Sequence, residues 1–133
     1  MNKWIEQYNK KVPKGFKRDE RFTLFYSPTK GFAEIGDTGK MVVANQVCGD
    51  FKFWRKIIES LVRRLGYTHA GTITCRHILP FLRLSGVAVD ETEETEFGTR
   101  YFFTDKRTAK KGRASPTDKG SYCITWEVGA DEI

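Results

Sequence analysis

The chain has 133 residues, 39% apolar and 14% aromatic, and its 23 Lys and Arg against 17 Asp and Glu leave a net charge of +6. This length suits one hydrophobic core and not two, and ten Phe, five Tyr and three Trp exclude a disordered chain. No apolar run approaches the ~20 residues of a membrane span, the first residues lack the apolar stretch of a secretory signal, and three cysteines (Cys48, Cys75 and Cys123) form no disulfide framework, so the expectation is one cytoplasmic domain with reduced thiols.

Trp4, Ile5 and Tyr8 stand at helical spacing and predict a short amphipathic helix over 2–10, ended by Pro13 and Gly15. Phe22–Tyr26, Phe32–Ile35 and Met41–Asn45 then read as three strands. The turn-forming segments Ser27–Gly31 and Gly36–Gly39 separate them, which predicts an antiparallel meander. Phe51, Trp54, Ile57, Ile58, Leu61, Val62 and Leu65 repeat with helical period, with Asp50 as a natural N-cap and Gly66 as the residue that ends the helix. A strand over Tyr67–Thr74 follows and completes a βαβ unit, which calls for parallel pairing. A second helix is predicted from Arg76 to Ser85, with Pro80 in its first turn, and a further strand begins at Val87–Val89. Arg100–Thr104 and Ser121–Val128 read as strands. Residues 105–120 carry six basic and two acidic residues without an apolar period and read as a basic surface loop. Charge is segregated: residues 1–21, 52–64 and 105–120 each carry a net +4, and 90–96 carries −5.

This order of elements from about Arg21 to Val128 resembles the GNAT acetyltransferase superfamily. The resemblance rests on Gln46-Val47-Cys48-Gly49-Asp50-Phe51 between an apolar strand and a helix, on Leu65-Gly66-Tyr67 leading into a strand, and on Phe81–Val87 at a helix end. It implies an α+β fold: a GNAT-like mixed sheet with N-terminal antiparallel strands, a central βαβ, two C-terminal strands and helices on both faces. It also implies an N-acyltransferase that uses acetyl-CoA on an amine. The cofactor pyrophosphate would sit at the helix N-terminus, whose free N–H groups and positive dipole end suit an anion. Gln46, Val47, Cys48, Gly49, Asp50, Phe51 and Lys52 would form the cradle, with Gln46 and Gly49 at the matching positions and Lys52 and Arg55 adding charge.

The sequence also departs from that pattern. Phe51 replaces a small residue, Asp50 places a carboxylate where a phosphate would sit, and Leu82 stands where the family's acidic tyrosine is common. Glu34 is the nearest candidate base by layout, although a strand glutamate is by default solvated. Cys75, two residues from His77, is a candidate nucleophile. The Cys and His spacings support no metal site. These departures motivate an alternative, a catalytically inactive GNAT-like fold that binds nucleic acid or an acidic protein surface. Lys106, Arg107, Lys110, Lys111 and Arg113 would make the contacts, with no membrane partner. A component of a larger particle, of the kind phages and mobile elements encode, fits the same features.

Overall fold

The computed structural model describes residues 1–12, 14–75 and 77–129. Pro13, Arg76 and the tail beyond Gly129 lie outside the described residues, so the assignments of Pro13 as helix terminator and Arg76 as helix start are not addressed. The elements in chain order are α1 (Asn2–Lys11), β1 (Thr23–Ser27), β2 (Gly31–Asp37), β3 (Val42–Gly49), α2 (Phe51–Arg64), β4 (His69–Thr74), α3 (Ile78–Leu84), β5 (Val87–Thr95), β6 (Gly98–Asp105), β7 (Lys111–Pro116) and β8 (Tyr122–Glu127). The architecture is α+β: one eight-stranded mixed sheet in the order β1-β2-β3-β4-β8-β7-β6-β5. Among the described residues only β3 and β4 pair in parallel; every other neighbour is antiparallel. Among the described residues no helix is long and apolar enough to cross a membrane.

The sheet is covered unequally. Val42, Ala44, Ala70, Ile124 and Trp126 point to one face, where Trp54, Ile58 and Val62 of α2 and Ile78 and Leu82 of α3 complete the core. On the other face Tyr8 of α1 and Phe16 pack on Phe32, with ring centroids 5.6 and 5.0 Å away. That cover reaches only the β1–β3 half of the sheet.

The ends of α2 follow from its sequence. The Asp50 side chain accepts from the Phe53 amide at the N-terminus. At the C-terminus Gly66 takes φ +75°, its amide bonds to Arg63 O and that of Tyr67 to Val62 O, which is the Schellman arrangement.

Two expectations about the strands need correction. Among the described residues four strands follow α3, where the sequence reads three and the resemblance implies two, and 105–120 is not a loop throughout, because β7 occupies Lys111–Pro116 between β6 and β8. The inward positions of β7 are Gly112, Ala114 and Pro116, too small to give an apolar period. A Cβ on Gly112 would stand 2.4 Å from the Phe103 ring, so the aromatic side chain of β6 fills the space. The acidic run 90–96 belongs to β5 and its exit. There Glu93 pairs with Arg100 at 2.6 Å and Glu94 accepts from Thr99 at 2.7 Å, a charged sheet edge of the kind that discourages pairing with other chains.

Candidate functional site

The parallel contact at the centre of the sheet is short. Val42, Val43 and Ala44 pair with Ala70, Gly71 and Thr72, and the Thr72 hydroxyl donates to Ala44 O at 3.1 Å. Beyond that tie β3 runs on to Gly49 with only β2 as its partner, so β3 and β4 stop pairing at Ala44 and Thr72, five residues before β3 ends and α2 begins. The mouth between diverging strand ends, next to a helix N-terminus, is where open sheets with parallel strands hold ligands.

The residues of the expected cradle are placed as follows. Gln46 to Gly49 form no loop: they are strand, with Val47, Cys48 and Gly49 opposite Ala33, Phe32 and Gly31. The reason is a close backbone approach at two glycines. Gly49 takes φ +107°, and a Cβ there would stand 2.1 Å from Lys30 O, while one on Gly31 would stand 1.9 Å from Cys48 O. Val47 packs against the core below α2. Cys48 is buried on the α1 face, its Sγ 3.4 Å from Trp4 O.

Asp50 occupies the N-terminus of α2 itself. Its Oδ1 accepts from the Phe53 amide at 3.2 Å and its Oδ2 pairs with Lys30 Nζ at 3.3 Å. The Phe53 amide and Lys30 hold its carboxyl below the ordinary range, against some desolvation. Phe51 meets Phe81 of α3 edge-on, with ring centroids 5.7 Å apart. Lys52 is exposed. Phe51 and Phe81 line a half-open pocket of about 30 Å3 together with Arg55, Leu82 and Trp126. That is on the order of two water molecules.

Glu34 is not a solvated strand residue: it is fully buried. It lies at a β-bulge where Asn45 and Gln46 of β3 oppose this single residue of β2. Its Oε1 accepts from Asn45 Nδ2 at 3.1 Å and Gln46 Nε2 at 2.5 Å, and its Oε2 from Arg18 Nη1 and the Asp19 amide, both at 2.7 Å. Four donors fill the capacity of one carboxylate. Gln46 is bound further to the Lys17 backbone, its Oε1 accepting from the amide at 3.2 Å and its Nε2 donating to the carbonyl at 2.5 Å. The network therefore fastens segment 17–22 across the sheet. Cys75 and His77 are both exposed in the connection from β4 to α3, and Leu82 is buried. Among the described residues no cluster of His, Cys, Asp or Glu could hold a metal ion.

The sequence reading missed a groove on the opposite face of the same split, with a volume of about 110 Å3. Phe22, Met41, Asn45, Ile73 and Cys123 line it, and Gly71 forms part of its floor. Burial pushes the Cys123 thiol up, a change that Arg113 partly offsets. The lining comes from separate segments and carries no shared motif, so only the pairing of β3, β4 and β8 brings it together.

The five basic residues offered for a partner divide between the faces. Lys106, Arg107 and Lys110 lie in or beside the β6–β7 turn and are exposed. On β7, Arg113 opposes Thr125 and Phe102 on the face away from α2, and Lys111 Nζ bonds to Thr104 Oγ1 on that face at 3.1 Å. Compared with known proteins, the chain matches no family, no curated protein and no solved structure.

Proposed function

We propose that this chain is a GNAT-like domain that takes an acyl-coenzyme A at the split between β3 and β4 and transfers the acyl group to an amine. The observation that carries the reading is the parallel pair that ends after three residue pairs, at Ala44 and Thr72, while β3 runs on alone on that side to the start of α2. The groove on the far face meets the same split, so a donor entering beside α2 and an acceptor lying beside Phe22 and Asn45 would approach each other through it. In such a transfer the amine nitrogen attacks the thioester carbonyl and loses its proton to a base, and the coenzyme leaves as thiolate. Cys75 and His77 are the exposed titratable groups next to β4. Glu34, with every acceptor position engaged, serves to hold Asn45 and the bulge in place.

A second reading, a catalytically inactive fold, is favoured by the narrow, negatively charged entrance. Asp50 fills the helix N-terminus with negative charge, and Phe51 on Phe81 leaves room for only a few waters.

Isothermal titration with acetyl-CoA separates the two readings. Asp50→Asn keeps an N-cap and removes the charge, and Phe51→Ala widens the pocket. The acyltransferase reading expects measurable binding by the natural chain and roughly fivefold tighter binding by Asp50→Asn, from one like-charge contact at high dielectric. No binding at millimolar cofactor by the natural chain or by either folded variant would leave the inactive reading.

A further inference from the structure

Basic residues of two segments far apart in the chain, 52–63 and 106–110, meet on one surface that the sequence does not show. The Arg55 guanidinium reaches Asp105 Oδ2 at 2.6 Å across 50 positions of sequence and ties α2 to the β6–β7 turn. Gly129 joins them a second time: its carbonyl accepts from Arg63 Nε at 2.9 Å, and Lys110 Cε lies 2.9 Å from where a Cβ on Gly129 would stand. The acids of both elements are turned inward. Glu59 accepts from Arg55 at 3.2 Å and from the Trp126 indole at 2.9 Å, and Asp105 is buried against Arg55 and the Arg107 amide.

Lys52, Lys56 and Arg63 of α2 and Lys106, Arg107 and Lys110 of the turn remain exposed. Successive residues turn by about 100° around a helix, so the three on α2 fall within about 40° of one another and form a stripe. No exposed carboxylate belongs to α2 or to residues 106–110.

We propose that this surface binds the phosphate backbone of a double-stranded nucleic acid. The 14 residues of α2 extend about 21 Å, the length of about six base-pair steps. The stripe and turn offer no exposed aromatic ring on which an unpaired base could stack, which favours a duplex over a single strand. Cations without base-reading partners fix position and not sequence. The inference is independent of acyl-CoA binding, and its test contains none.

The test is fluorescence anisotropy of the full chain, Asp131 and Glu132 included, with a 20-base-pair DNA duplex and with an RNA duplex. Six phosphate contacts give a slope of about −5 in log affinity against log salt, a loss of about 10³-fold between 50 and 200 mM. Lys56→Ala and Lys110→Ala should each reduce the slope by about 1. Arg113→Ala, on the other face, should leave it unchanged. Binding of either duplex with this pattern supports the proposal. It is overturned if neither duplex binds at 25 mM salt, or if Arg113→Ala costs as much as Lys110→Ala. It is equally overturned if a single strand binds tighter, or if polyglutamate of equal charge competes equally well, which would assign the surface to an acidic protein.

Discussion

Replacing Glu34 with alanine tests whether the buried carboxylate at the bulge organises the α1 face of the sheet. The substitution removes the acceptor of Asn45 Nδ2, Gln46 Nε2, the Asp19 amide and Arg18 Nη1. Arg18 is 36% exposed and can turn to water, so its cost is small. The Asn45 Nδ2 and Asp19 amide hydrogens and one of the two Gln46 Nε2 hydrogens, three part-buried N–H groups, are left without an acceptor, while the other Gln46 hydrogen stays on Lys17 O. At about 1–1.5 kcal/mol each they cost about 3–5 kcal/mol, in line with breaking a buried ion pair. That is a large share of the ~5–15 kcal/mol that holds a domain folded. Urea unfolding followed by tryptophan fluorescence reads it as a fall in midpoint of about 2 M at a slope of about 2 kcal/mol/M. Because Arg18 and Glu34 share one bond, Arg18→Ala with Glu34→Ala should cost less than the sum of the single changes. Glu91→Ala, on the exposed part of β5, should stay within about 0.5 kcal/mol. A loss under 1 kcal/mol for Glu34→Ala, or full additivity with Arg18→Ala, would refute the argument.

Three further outcomes follow from other parts of the fold. Gly49→Ala puts a Cβ 2.1 Å from Lys30 O at φ +107°, and should unfold the chain or cost more than about 3 kcal/mol in the same urea assay; Gly39→Ala, with open space around it, should cost far less. Burial raises the Asp105 carboxyl, but the Arg107 amide and Arg55 lower it by more, so its folded value lies below the ordinary 3.8. A carboxyl lowered on folding stabilises the fold above its unfolded value, and that contribution disappears as pH falls below about 4. Thermal melts between pH 7 and pH 3 should therefore show a smaller acid loss for Asp105→Asn than for the natural chain, and equal losses would contradict the assignment. Removing the half-buried Phe51 ring should widen the pocket it lines and cost about 1–2 kcal/mol in the urea assay, whether or not a cofactor binds, and no loss of stability would show that the contact with Phe81 is not packed as described.

Elements with a strong local signal were legible. α2 carries its own period, cap and terminating glycine, α1 follows from helical spacing, and β1, β2 and the first half of β3 stand where aromatic and β-branched runs meet turn residues; the second half of β3, Gln46–Gly49, was not legible because its pairing depends on the close approach of Gly49 to Gly31. β7 was not legible, because its inward residues are glycine, alanine and proline and the neighbouring Phe103 supplies the volume. The acidic half of β5 was not legible either: both of its faces are polar, and its partners Thr99 and Arg100 lie on the next strand. At the candidate site, Asp50 as N-cap was readable from one position. The burial of Glu34 was not, because a glutamate in a strand is usually solvated and its four donors come from segments 18–19 and 45–46.

By itself the sequence determined the order of helices and strands from α1 to α3, that a basic amphipathic helix follows three strands, and that positive charge falls in separate segments. These are local properties, set by side-chain period, turn chemistry and capping within a few residues. The tertiary structure alone decided that the parallel pair of β3 and β4 lasts three residues, that Phe51 meets Phe81, and that α2 and the β6–β7 turn share one surface. Each of those is a contact between segments distant in the chain, fixed by strand register and by buried partners such as Arg55 and Asp105, and no local pattern encodes it.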